Sequence, residues 1–172
     1  LDHEKADFDR SMEQLKENYG SKVVQIQYPI SVGPQFNAVV DVLKMKMYRW
    51  KPEGGVPEVL DIPNTEINKA QDLHNALVEA AAEHDEALME KFFDQGSLSE
   101  EEMRIGIRKG MLHRDMFPVF CVSALRDMGV RRMMEFLGNV VPFVDDMPKP
   151  EDNKGEEIAA DSNGPTSLFV FK

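Results

Sequence analysis

Cys121 and the histidines His74, His84 and His113 have side chains of the kind that bind metals or attack substrates. Metal sites usually draw such ligands from short sequence spacings, whereas His74 and His84 are ten residues apart and the chain shows no compact His/Cys/carboxylate spacing. Cys121 follows the apolar residues 117–120, a pattern typical of a buried strand. We therefore expect no metal site here, histidines that are solvated or cap helices, and a cysteine that fills the core.

Carboxylates are concentrated between residues 79 and 102. They are Glu79, Glu83, Asp85, Glu86, Glu90, Asp94, Glu100, Glu101 and Glu102, with Lys91 as the one lysine among them. A solvated helical face would explain this composition, and so would a docking face for a basic protein partner. Docking charges would mainly raise the association rate, and their effect would weaken with salt.

The overall composition is that of a water-soluble protein. The net charge is −11, from 31 acidic and 20 basic residues. Such a surface repels a phosphate backbone, so we expect no nucleic-acid binding by this chain on its own. No apolar run approaches the roughly 20 residues that a membrane-spanning helix needs, and residues 1–10 are charged rather than apolar. A lone cysteine fits a reducing compartment. We expect a cytoplasmic protein without membrane contact.

The first third of the chain alternates between helical and strand patterns. Apolar residues recur at helical spacing over 5–19, and Gly20 follows them. The run 23–28 predicts a strand ended by Pro29. Residues 36–50 predict two or three short antiparallel strands.

Helical periodicity then continues from residue 64 for nearly fifty residues. Two apolar stripes precede Gly96, and the sequence Ser99-Glu-Glu-Glu102 has the form of a capping box that would open a third helix. Residues 117–122 predict a buried strand, and 129–139 a further helix. The stretch 145–165, rich in Pro, Gly, Asp and Glu, predicts a linker.

Two residue types allow a structural and a functional interpretation. Most of the eleven methionines fall at apolar positions of the helical and strand patterns, which favours core packing over an adaptable binding surface. Arg126, Arg131 and Arg132 cluster at the start of the predicted helix 129–139. We expect them to lie on the surface, either as an ordinary helix terminus or as a contact with ribosomal RNA in a larger protein.

Seven segments in chain order resemble elongation factor G, a translational GTPase. They are Gln27-Tyr-Pro-Ile-Ser-Val-Gly33, residues 36–46, 77–83, 85–91, Pro118-Val-Phe-Cys-Val-Ser-Ala-Leu125, residues 129–137, and Gly164-Pro-Thr-Ser-Leu-Phe-Val-Phe-Lys172. The resemblance implies an α/β fold: the C-terminal part of a P-loop-type GTPase domain with an inserted α+β (G′) subdomain.

The resemblance also implies four regions. Residues 1–28 would belong to the GTPase domain after its guanine-specificity motif, and 29–115 would form the G′ insertion. Residues 116–144 would supply the last strand and helix of the GTPase domain. Residues 145–172 would form a linker and a truncated first strand of a second domain. We therefore expect both ends of the chain to lie inside a longer protein.

In that family, two motifs recognise guanine. Leu1-Asp2 fits the last two positions of Asn-Lys-x-Asp, and Ser123-Ala124-Leu125 fits the second motif. By resemblance, Asp2 would accept hydrogen bonds from guanine N1–H and the 2-amino group. The Ala124 amide would donate to guanine O6, Ser123 would brace the loop, and Leu125 would complete the motif. The longer protein would bind GTP and GDP.

The chain contains no Gly-x-x-x-x-Gly-Lys-Ser/Thr phosphate loop. By resemblance, the Mg²⁺ ligands, the switch segments and the catalytic histidine would all lie upstream. Phosphoryl transfer needs charge positioned around the phosphates, so we expect no catalytic residue here and negligible nucleotide affinity for the chain alone.

The resemblance implies a ribosomal translocation factor that would move tRNA and mRNA. Glu79, Glu83, Glu86 and Glu90 would face the C-terminal domain of the ribosomal stalk protein. Two alternatives stay open. One is a divergent paralogue serving ribosome recycling or protection with weak or absent GTPase activity, because Arg126-Asp127-Met128 stands where the family more often has Lys-Asn-Lys. The other is an acidic interaction module with no nucleotide role.

Overall fold

A computed structural model describes residues 1–159, 161, 163, 164, 166 and 168. The chain divides into two compact units, Leu1–Val141 and Pro142–Lys172. It is a mixed α/β protein with one parallel and one antiparallel sheet, as the sequence predicts. None of the helices in the described residues has the length and apolar character needed to cross a membrane.

Five helices and six strands make up the first unit. In chain order they are α1 (Phe8–Tyr19), β1 (Val23–Gln25), β2 (Gln27–Pro29), β3 (Ala38–Asp41), β4 (Lys46–Arg49), β5 (Glu58–Leu60), α2 (Ile67–Ala82), α3 (Glu86–Gln95), α4 (Glu100–Leu112), β6 (Phe117–Val119) and α5 (Val130–Asn139). Short 3₁₀ turns at Gly20–Lys22 and Gly33–Gln35 join some of them. The predicted helices are therefore confirmed, with α1 starting at Phe8 because the Asp7 carboxylate accepts the Arg10 N–H at 3.0 Å.

The single strand predicted over 23–28 is wrong, because the run is divided between two sheets. β1 pairs in parallel with β6, whereas β2 is an edge strand of the antiparallel sheet β2-β3-β4-β5. Ile26 joins the two: its N–H donates to Val119 O at 3.1 Å, and its carbonyl accepts the Val42 N–H at 2.9 Å. Pro29, which the sequence predicts to end the strand, is the last residue of β2. An edge strand tolerates its missing N–H.

The strand predicted over 117–122 is shorter than expected. β6 ends at Val119, and Phe117 is 37% exposed, so the buried part of this segment lies beyond the strand. Cys121 is fully buried there, and burial raises the pKa of its thiol to about 12. The thiol is therefore protonated at neutral pH and acts as a core side chain, as predicted.

The main hydrophobic core lies between the antiparallel sheet and helices α2 and α4. Five methionines are buried, which confirms their core role: Met12, Met47, Met103, Met116 and Met128. Met134 and Met147 are exposed instead. Gly106 allows α4 to approach α2, because a Cβ at this position would lie 2.1 Å from the carbonyl oxygen of Ala81.

The predicted capping box at the start of α4 is confirmed. The Ser99 hydroxyl accepts the Glu102 N–H at 3.4 Å, and the Glu102 carboxylate accepts the Ser99 N–H at 2.9 Å. Glu102 also pairs with Lys91 of α3. The hydrogen bond from Lys91, followed by that from the Ser99 backbone, lowers the pKa of Glu102 from 4.5 to about 2.

This lowered pKa predicts how stability depends on pH. A carboxyl group with a depressed folded-state pKa stabilises the fold above its unfolded pKa, and that stabilisation is lost as the pH falls. We expect Glu102→Gln to lower the thermal midpoint at pH 7, and the difference from the unsubstituted protein to shrink between pH 4.5 and about 2. Glu101→Gln, at an exposed neighbouring position, is the control. A difference in thermal midpoint that stayed the same at every pH would show that the Glu102 carboxylate does not stabilise the fold through its charge.

In the second unit, the predicted linker contains local structure. A 3₁₀ turn spans Val144–Asp146, and Glu151 forms an isolated antiparallel bridge with Glu157. The Asp152 carboxylate accepts the N–H groups of Lys154 and Glu156 between the bridged residues. The strand predicted at residues 168–171 lies outside the described residues apart from Leu168, which is 90% exposed.

Candidate functional site

The fold brings Asp2 and Ser123 together although they are far apart in the sequence. The Leu1 nitrogen donates to Val122 O at 3.0 Å, which places residue 2 beside the loop that follows β6. The pKa of Asp2 is lowered, chiefly by the polar side chain of Ser123, while desolvation opposes the shift. Asp2 is therefore an anion at neutral pH, ready to accept hydrogen bonds.

Residues 123–128 form a closed loop. Ser123 N–H donates to Met128 O at 2.9 Å, and Met128 N–H donates to Ser123 O at 3.0 Å. Within the loop, the Ser123 hydroxyl accepts the Arg126 N–H at 3.3 Å. Asp127 adopts φ 48°, a left-handed conformation that Asp tolerates better than most residues. Ser123, itself buried, thus braces both the loop and Asp2.

The tip of this loop faces solvent. Ala124 is exposed, and Leu125 is 93% exposed. Across the described residues, no hydrogen bond uses the Ala124 N–H as donor. The site thus offers a charged acceptor, Asp2, and an exposed backbone donor, which suits a planar ligand carrying both N–H and carbonyl groups.

The loop is fastened to the region predicted as the insertion. The Arg126 side chain donates to Pro52 O from Nε at 3.3 Å and from Nη2 at 3.0 Å. Its Nη1 donates to Phe36 O at 3.2 Å and to Pro34 O at 3.5 Å. Sequence reasoning missed this role because backbone carbonyls leave no signature in the residue types.

Gly54 makes the same junction tight. It has φ +79°, and a Cβ placed on it would lie 1.7 Å from the carbonyl oxygen of Arg126. A side chain at this position would therefore displace the loop and also strain the backbone.

The expectation that Arg126, Arg131 and Arg132 all lie on the surface is wrong for Arg132. Its side chain is 4% exposed, and its Nε donates to the fully buried Asp41 carboxylate at 2.7 Å. Asp41 also accepts the Gln27 side-chain amide at 3.2 Å and the Lys44 N–H at 3.0 Å. Arg132, in the first turn of α5, thus ties this helix to β3, because a buried carboxylate needs a counter-charge.

Gln27 extends this network toward the loop. Its side-chain oxygen accepts the Cys121 N–H at 3.2 Å, and the Cys121 thiol lies 3.5 Å from the Gln27 carbonyl. Cys121 is two residues before Ser123, so the hydrogen bonds of Gln27 with Asp41 and Cys121 hold the chain in place just before the loop begins. A glutamine in a strand-like run gives no sequence signal for this role.

Among the described residues, no group of three or more His, Cys, Asp or Glu side chains could hold an ion. His74 is half-buried, with Nδ1 2.6 Å from Val42 O, rather than solvated.

The predicted docking residues Glu79, Glu83, Glu86 and Glu90 are all exposed along the end of α2 and along α3. Within the described part of the chain, none of these four carboxylates forms an ion pair. Neighbouring acidic residues behave differently: Asp85 pairs with Lys109, Glu100 with Arg104, and Glu102 with Lys91. Phe93, on the same helix α3, is 77% exposed.

The sequence matches no family model. The fold is similar to the crystal structure of ttk003000868 from Thermus thermophilus, with a TM-score of 0.69 and 24% sequence identity. The match covers 81% of this chain and 21% of the Thermus chain. This chain therefore shares its fold with part of that protein and spans about a fifth of its length.

Proposed function

We propose that this chain is a segment of a translational GTPase resembling elongation factor G, and that Asp2 with the loop 123–125 forms the guanine-side wall of its nucleotide pocket. The observation that carries the proposal is the 3.0 Å hydrogen bond from the Leu1 nitrogen to Val122 O, which brings the Asp2 segment beside the loop that begins at Ser123. The two motifs that the resemblance assigns to guanine lie far apart in sequence, and the fold places them in contact.

The chemistry of this wall fits guanine. An ionised Asp2 accepts two hydrogen bonds, from N1–H and the 2-amino group, while the Ala124 N–H donates to O6. Adenine has no N1–H and presents an amino group at position 6, so both protein groups would be left unpaired. Sites built on such hydrogen bonds reject the wrong ligand by about 10⁴-fold or more. By the resemblance, Leu125 completes the motif at the exposed tip of the loop.

The remaining chemistry belongs to the longer protein. The phosphate loop, the Mg²⁺ ligands and the catalytic histidine of this GTPase type lie outside the present sequence, so GTP hydrolysis is an activity of the whole factor. The whole factor would move tRNA and mRNA on the ribosome. The chain contributes base recognition and the insertion.

The second role of the chain is docking to the ribosome. Glu79, Glu83, Glu86 and Glu90 present carboxylates without ion pairs, among the described residues, on two consecutive helices, which favours a basic protein partner. The C-terminal domain of the ribosomal stalk protein is the proposed partner. Exposed charges of this kind steer association, so raising the salt concentration should slow binding.

Substitution of Asp2 tests the guanine assignment. In the longest form of the protein that its gene encodes, we expect Asp2→Ala to weaken GDP binding about a hundredfold, because two charge-assisted hydrogen bonds to the base are lost. Isothermal calorimetry with GDP and ADP measures both affinity and base preference. Asp9→Ala, on the exposed face of α1, is the matched control and should bind GDP normally. Equal GDP affinities for the two variants would refute the assignment.

Two other functions predict different results when ribosome binding and GTP hydrolysis are measured beside GDP affinity. A divergent paralogue for ribosome recycling or protection, favoured by Arg126 binding the insertion instead of following the family pattern, would bind ribosomes with weak or no GTP hydrolysis. An acidic interaction module, favoured by the four exposed glutamates, would bind its protein partner and show no guanine preference.

A further inference from the structure

The side chain of Arg126 reaches from the loop 123–128 into the neighbouring backbone. It makes four hydrogen bonds to three carbonyl oxygens, those of Pro34, Phe36 and Pro52. These acceptors lie on two separate segments of the predicted insertion. One side chain therefore fixes the loop relative to both segments.

This arrangement depends on the guanidinium group. Its planar fork carries five N–H donors in fixed directions, which lets one side chain serve several carbonyls at once. A lysine at this position would keep the charge but would offer a single nitrogen. The backbones of Gly54 and Arg126 also approach closely here, because a Cβ added to Gly54 would lie 1.7 Å from the Arg126 carbonyl oxygen.

The other half of the candidate site is attached to the same region. The Gly33 N–H donates to Leu1 O at 2.8 Å, immediately before Asp2. Residues 33–36 thus contact both the Asp2 segment and the Arg126 side chain. Movement of this short stretch would change the position of both motifs together.

We propose that Arg126 is a positioning residue for guanine: by anchoring the loop 123–128 to the carbonyls of Pro34, Phe36 and Pro52, it makes nucleotide retention depend on the geometry of the insertion. This inference rests on the proposed function. Ser123 and Met128 close the loop at its base, and Arg126 fixes its tilt relative to Asp2. Because hydrogen bonds to the base require alignment within about 1 Å, a tilted loop would release the nucleotide faster.

Coupling of this kind is reciprocal. If the geometry of the insertion changes guanine affinity, then bound guanine changes the free energy of the insertion by the same amount. Substitutions in residues 33–36 or at Gly54, which lie outside the base-recognition motifs, should therefore alter guanine binding.

The test is the rate of GDP dissociation from the full-length protein, followed by the fluorescence of N-methylanthraniloyl-GDP. We expect Arg126→Lys to raise this rate about tenfold, within the usual range of coupling between sites, while keeping the positive charge near Asp2. Gly54→Ala should raise the rate similarly, because its Cβ would lie 1.7 Å from the Arg126 carbonyl oxygen and would displace the loop from the insertion side. Arg10→Lys, at an exposed position of α1, is the matched control and should leave the rate unchanged.

Amide hydrogen exchange of the same variants separates positioning from global unfolding. We expect faster exchange in residues 52–55 and 123–128 of Arg126→Lys, with the core of α2 and α4 unaffected. An unchanged dissociation rate in Arg126→Lys would overturn the inference while leaving guanine binding intact. Absence of guanine binding by the unsubstituted protein would instead overturn the proposed function, and this inference with it.

Discussion

Arg132→Met is expected to destabilise the protein by about 3–5 kcal/mol, because it removes one partner of a buried ion pair. Asp41 is fully buried, and Arg132 supplies its counter-charge at 2.7 Å. Without the guanidinium, the carboxylate keeps only neutral donors, the Gln27 amide and the Lys44 N–H. Those hydrogen bonds cannot compensate for an isolated buried charge.

Equilibrium unfolding in urea measures this loss. Arg131→Met is the matched control: its side chain is 65% exposed and lies 3.9 Å from Asp127, so the change should stay within about 0.5 kcal/mol. If both methionine variants were equally stable, the buried pair would not have the role assigned to it.

The double variant Asp41→Asn/Arg132→Met separates the pair's net contribution from the penalty of an orphaned charge. It should recover a large part of the stability that Arg132→Met loses, because no charge then remains buried. Among the described atoms, Arg132 Nη1 and Nη2 are themselves buried without a hydrogen-bond partner, which limits the net contribution of the intact pair. Stability of the double variant below that of Arg132→Met would contradict this reasoning.

Gly106→Ala is expected to cost about 3 kcal/mol, although alanine is the better helix former. The added Cβ would lie 2.1 Å from Ala81 O and 2.7 Å from the Ala81 carbonyl carbon. These are backbone atoms of α2, so no side-chain rotation relieves the contact, and the two helices must separate. Their separation would open the core around Met103 and Ile107.

The same substitution elsewhere provides the control. Gly138 lies in α5, and a Cβ added there would meet no described atom within 4 Å, so Gly138→Ala should stabilise the protein by up to about 1 kcal/mol. Urea unfolding of the two variants should therefore give shifts of opposite sign. A stabilising effect at Gly106 would show that α2 and α4 do not pack as closely as described.

The sequence determined the local features of this protein. The capping box at Ser99 and Glu102, the helical stripes of α2 to α4 and the burial of Cys121 follow from neighbouring residues, because helix capping and amphipathic periodicity act over a few positions. The α/β class was implied by the resemblance, and the two sheets with their helices confirm it. The residues of the candidate site were also identified from the sequence, through a resemblance rather than through their own chemistry.

The tertiary structure decided which distant groups meet. Ile26 joins two sheets through its backbone atoms. Arg132 is buried because it pairs with Asp41, which is 91 residues away in sequence but adjacent in the fold. Arg126 binds carbonyl oxygens that every residue type provides, so its partners could not be inferred from composition or spacing. Backbone acceptors and long-range ion pairs depend on chain topology, and residue types alone do not encode their positions.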